Sequence, residues 1–124
     1  MLTDGHIHFF SPSFFAGLGA DKKAIAALGW DDLDATEKLG VRWVKELDIY
    51  KVERAALIAS LPGDADAVAM AVALNSSRFV GFFMLDPTRE DAITYAERAL
   101  DEGLRTICLF PAMHGYYLHD ARVA

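Results

Sequence analysis

Asp4-Gly5-His6-Ile7-His8 ends a short stretch that begins at Leu2, and its reading decides the fold. Leu2 to His8 is read as a buried parallel strand although Thr3, Asp4 and Gly5 separate its apolar residues. Residues two apart in a strand project to one face, so His6 and His8 share a side at its C-terminal end. Two imidazoles held there can each approach a divalent metal at about 2.0 to 2.1 Å. Spacing alone is a weak signal, because four histidines give some pair two apart roughly one time in ten by chance. Context strengthens it. The pair follows Asp4 and Gly5, closes the first strand and opens into a long loop.

Working outward, three further apolar runs read as strands: Ala55 to Ser60, Phe79 to Asp86 and Thr106 to Phe110. Gly81 is a weak spot in the third strand unless something packs closely against it. Helical spacing fills the gaps between strands. Over Glu37 to Tyr50, Leu39, Trp43, Leu47 and Tyr50 form one apolar stripe. A second helix runs from Asp64, as its cap, to Asn75, with Val68, Ala69 and Val72 inward. A third runs from Arg89 to Asp101, with Thr88 and Asp91 in capping-box spacing and Ile93, Ala96 and Leu100 as its buried stripe. A fourth helix starts at Asp120.

Strands alternating with helices predict an α/β domain with a parallel sheet and right-handed crossovers. The later strands recur 24 residues apart (Ala55 to Phe79) and 27 apart (Phe79 to Thr106). Eight such units close a TIM-type (β/α)8 barrel of about 250 residues, so residues 1–124 are read as one domain holding the first four strands, a half barrel. The C-terminal ends of the strands are where barrel enzymes build their sites, and His6 and His8 lie there.

Composition bounds the partners. A net charge of −6 and the lack of a basic stripe argue against nucleic acid and anionic membrane surfaces. The alanine-rich stretch from Ala65 to Leu74 is far short of the roughly 20 residues that span a bilayer. The single cysteine, Cys108, forms no internal disulfide, and the N-terminus lacks the pattern of a signal peptide, so a cytoplasmic setting is expected.

The chain resembles the amidohydrolase superfamily, in particular the amidohydrolase-related branch that includes aminocarboxymuconate-semialdehyde decarboxylase, resorcylate-type decarboxylases and lactone or amide hydrolases. Beside Asp4-Gly5-His6-Ile7-His8, the resemblance rests on Val52-Glu53-Arg54-Ala55-Ala56-Leu57, Arg78-Phe79-Val80-Gly81-Phe82 with Leu85-Asp86-Pro87, and Glu102-Gly103-Leu104-Arg105-Thr106-Ile107 leading to Leu109-Phe110-Pro111. It covers nearly the whole chain. It implies a barrel holding one divalent metal, often zinc, with His6 and His8 as the first two ligands. It also implies a metal-bound water as nucleophile, with later histidines and an aspartate that come from strands five, six and eight. None of those strands is in this sequence, so the chain alone is expected to hold zinc weakly and to be inactive.

Strand four departs from the family's commonest pattern, with Cys108 and Phe110 where lysine and histidine flank a leucine. Phe110 is expected to make an apolar substrate contact, and Cys108 to be a small buried filler. Phe9, Phe10, Phe14, Phe15 and Trp30 lie in or near the loop after strand one, and His114, Tyr116, Tyr117 and His119 lie after strand four. These loops are expected either to line a pocket for an aromatic or unsaturated acid or simply to pack. His114 is the expected polar substrate contact and His119 a surface residue. Two functions remain open. One is the N-terminal part of a metal-dependent hydrolase or decarboxylase of a small molecule. The other is a non-catalytic half barrel whose open edges pair with a missing C-terminal half, another chain or a second copy.

Overall fold

The computed structural model describes residues 2–17, 22–27 and 35–123. Four strands, β1 (Thr3–Phe9), β2 (Arg54–Ala59), β3 (Phe79–Leu85) and β4 (Thr106–Leu109), form one parallel sheet in the order β1-β2-β3-β4. The helices among the described residues are α1 (Pro12–Gly17), α2 (Lys22–Ala27), α3 (Thr36–Ile49), α4 (Ala65–Leu74), α5 (Ala92–Asp101) and α6 (Pro111–His114). Every strand lies within a residue or two of its expected position. The fold is the expected α/β half barrel, four successive units of a TIM-type sheet.

One sheet face carries the core. Ile7, Phe9, Leu57, Ala59, Phe79 and Phe83 pack with Leu39 and Leu47 of α3, Val68 and Ala71 of α4, Ala99 of α5 and Leu104. Side chains alternate along a strand, so the opposite face takes His8, Ile58 and Phe82, which are partners across three strands, and Met84 paired with Cys108. Gly81 sits on the core face. A Cβ there would lie 2.2 Å from Leu104 Cδ2 and 3.1 and 3.2 Å from Val72 and Val68, so the expected close packing exists and a larger residue would force the Leu104 side chain to shift.

Several expectations at helix termini need correction. The loop after β1 contains α1 and α2. Asp64 precedes α4 but makes no side-chain cap bond; its carboxylate accepts a hydrogen bond from Ser11 instead. Thr88 does not open α5, which starts after Asp91; Thr88 donates its hydroxyl to Asp86 at 2.7 Å, and Asp91 pairs with Arg89. Asp120 starts no helix and binds Arg122.

Two apolar stripes also differ. Tyr50 lies beyond the end of α3 and is exposed. On α5 the buried positions are Ala92 and Ala99, with Tyr95 and Ala96 partly buried, while Ile93 is 75% and Leu100 43% exposed. Small residues let α5 approach the sheet, and the bulky ones are turned outward. On β4, Ile107 and Leu109 are likewise 40% and 36% exposed, because no further helix covers the strand among the described residues. No helix among the described residues is long and apolar enough to cross a membrane.

Candidate functional site

The histidine pair is built by an irregularity in β1. Asp4 pairs with Ala55 and Ile7 with Leu57, so β1 spends three steps where β2 spends two, and Gly5 and His6 form the bulge. In the bulge the His6 backbone N–H donates to Asp4 Oδ1 at 3.0 Å. Beyond it His6 and His8 fall on the same side and converge, with their Nε2 atoms 3.2 Å apart and the rings edge to face.

That separation is chemically informative. Two nitrogens bound to a tetrahedral ion at about 2.0 to 2.1 Å stand roughly 3.3 Å apart, so the pair has the span of two zinc ligands. Two bare imidazole lone pairs cannot face each other at this distance without a proton or a cation between them. The set is two ligands deep: among the described residues no group of three or more His, Cys, Asp or Glu side chains is placed to hold a metal.

His8 is the better supported of the two. Its Nδ1 lies 3.2 Å from Ser60 Oγ at the end of β2, and its ring stacks on Phe10 at 6.1 Å between centroids, with 7° between planes. Phe10 in turn stacks on Phe14 at 4.3 Å, and both touch Phe15, which is buried. The buried Ser11 fixes this turn: its hydroxyl accepts from the Phe14 N–H at 3.1 Å and donates to Asp64. Burial pushes the Asp64 carboxyl above its ordinary range, a shift that the Ser11 bond moderates and neighbouring Asp66 reinforces. Phe10, Phe14 and Phe15 therefore pack together, and Phe10 also stacks on the His8 ring. Phe9 belongs to the core, and Trp30 lies outside the described residues.

His114 belongs to a second group, after β4. Both of its ring nitrogens are buried without a hydrogen-bond partner, as is the Tyr116 hydroxyl, and the two rings stack at 6.4 Å. Asp86, at the end of β3, adjoins this group. Its carboxyl is held below the usual range chiefly by the Thr88 hydroxyl, with help from the Thr88 N–H and the charges of His114 and Arg89. A cleft of about 360 Å³ opens beside it, lined by Pro62, Gly63, Asp86, Arg89, Tyr95 and Arg98 among others. Phe110 and Cys108 are half-buried, and burial pushes the Cys108 thiol up. His119 is exposed and stacks on Tyr117. His6 and His8 are thus brought together, whereas His114 is grouped with Asp86 and Tyr116.

Ser60 and Asp86 were not singled out from sequence as site residues. Both are polar residues directly after an apolar strand, the position where a parallel sheet presents side chains at its C-terminal rim. That position was the available signal.

No family model matches the chain, and no curated protein matches it. A solved structure does: a crystal structure described as a probable 2-pyrone-4,6-dicarboxylic acid hydrolase from Acinetobacter baumannii, with citric acid bound, has a TM-score of 0.59 and 15% sequence identity. The match covers 98% of this chain and 42% of that one, so this chain spans less than half of that protein's length. At such low identity the likeness establishes the fold, and it agrees with the sheet order in placing these 124 residues as a partial TIM-type barrel.

Proposed function

We propose that this chain is the N-terminal half of a metal-dependent hydrolase of the amidohydrolase type, acting on a small unsaturated or aromatic carboxylic acid. The observation that carries the reading is the 3.2 Å convergence of His6 Nε2 and His8 Nε2 at the C-terminal end of β1. His6 and His8 would hold the ion, zinc by their ligand chemistry. Such an ion supplies a water acidified towards a pKa of about 7 and a Lewis acid for a carbonyl. The chain's own residues orient and shelter. Ser60 and Phe10 hold the His8 ring, the Phe10–Phe14 stack offers a flat apolar wall beside it, and Phe110, which follows β4, would add an apolar substrate contact. The buried nitrogens of His114 and hydroxyl of Tyr116 offer hydrogen bonds to a polar substrate group. The hydrolase name of the structural neighbour supports hydrolysis over decarboxylation.

Zinc titration against a chromophoric chelator tests this. The wild-type chain is expected to bind one zinc weakly and to lose it on dialysis against a strong chelator, because stable sites use three or four protein ligands. His6→Ala and His8→Ala should each abolish binding. Zinc uptake unchanged in both variants would refute the assignment.

The open sheet favours a second reading, a half barrel completed by another chain or a second copy. Ile93 and Leu100 of α5 and Ile107 and Leu109 of β4 are exposed apolar side chains. Light scattering decides between a monomer and a self-associating chain.

A further inference from the structure

Ser60 stands at the end of β2, and its hydroxyl has two neighbours. It donates to the Ile58 carbonyl at 3.4 Å, and it lies 3.2 Å from His8 Nδ1. A serine hydroxyl has one hydrogen and two lone pairs. In the orientation that directs the hydroxyl hydrogen at Ile58, the oxygen accepts from His8, and the hydrogen of a neutral imidazole then sits on Nδ1. The lone pair is left on Nε2, the atom that meets His6. Stacking on Phe10 fixes the plane of the same ring. His6 is exposed, and the described contacts of its ring are with His8.

We propose that Ser60 is a positioning residue that fixes His8 as the Nδ1–H tautomer, so that His8 is the preset ligand of the pair and His6 the ligand that adjusts. The inference rests on the metal reading only in what Nε2 is for; the tautomer itself is a property of the metal-free chain. Ordinary imidazole favours the other tautomer, so the arrangement needs the acceptor that Ser60 provides. Partners of this kind typically change metal affinity by about 10- to 100-fold when removed.

Long-range proton–nitrogen correlation spectra of the metal-free, histidine-labelled chain, taken at about pH 8 where imidazole is neutral, read the tautomer directly. Wild type is expected to show His8 protonated on Nδ1. Ser60→Ala should shift His8 towards Nε2–H and weaken zinc about 10-fold or more, and Ser60→Thr, which keeps the hydroxyl, should restore both. The wild-type spectrum needs no variant to fold. His8 found protonated on Nε2 in wild type overturns the proposal, as does Ser60→Ala with wild-type tautomer and affinity. A wild-type chain with Nδ1–H on His8 that takes up no zinc supports the role of Ser60 and removes the metal reading.

Discussion

At the scale of single residues, the histidine pair and its supports were unequally visible. His6 and His8 could be read from their spacing and their place at a strand end, because strand periodicity fixes which side chains share a face. Ser60 is 52 residues from His8, and only the β1–β2 register, set partly by the bulge at Gly5 and His6, brings them together. Asp64 illustrates the same gap: from sequence it is a helix cap, yet it serves the loop carrying Phe14 by accepting from Ser11. Its carboxyl is pushed above the ordinary 3.8, foremost by burial. The folded chain therefore binds this proton more tightly than the unfolded chain. The contribution is fully present below 3.8 and is lost as pH rises through the folded value. Asp86 works in the opposite sense, losing its contribution as pH falls. Urea midpoints of wild type and Asp64→Asn across acidic to neutral pH should separate the two, with wild type declining relative to Asn as pH rises. A pH-independent difference would exclude the linkage.

At the scale of elements, the strands were legible and the helix faces less so. Apolar runs located β2, β3 and β4, and the histidine pair located β1, all within two residues, although only β2 and β3 are largely buried. Faces failed where packing partners decide: on α5 the small residues Ala92 and Ala99 go inward and Ile93 and Leu100 do not. The contact of β3 with α4 and Leu104 explains the preference for small residues in this layer. Gly81→Ala would place its methyl 2.2 Å from Leu104 Cδ2. Overpacking of this kind costs about 1 to 3 kcal/mol, so chemical denaturation should show a loss of that size. Leu104→Ala in the same background should recover part of it by making room. The chain also keeps Lys51 in the left-handed region (φ 56°) to end α3, where the Val52 N–H reaches back to the Leu47 carbonyl at 2.8 Å.

At the scale of the whole molecule, the sheet has β1 and β4 as its outer strands, each paired on one side among the described residues. Unpaired strand edges beside apolar side chains favour association. Sedimentation of the 124-residue chain should show mass increasing with concentration, and Ile107→Glu with Ile93→Glu should shift it towards the monomer. A wild-type chain that stays monomeric at high concentration would remove pairing with a second copy. The agreement between sheet order and chain order has an evolutionary consequence. A tandem duplication of the gene would extend the sheet without rethreading, the second copy's first strand lying beside β4. The join would need only a segment long enough for one crossover helix, whose apolar side Ile107 and Leu109 would accept. Such a fusion would bring a second histidine pair to the same end of the strands as the first, so one duplication would double both the sheet and its imidazoles.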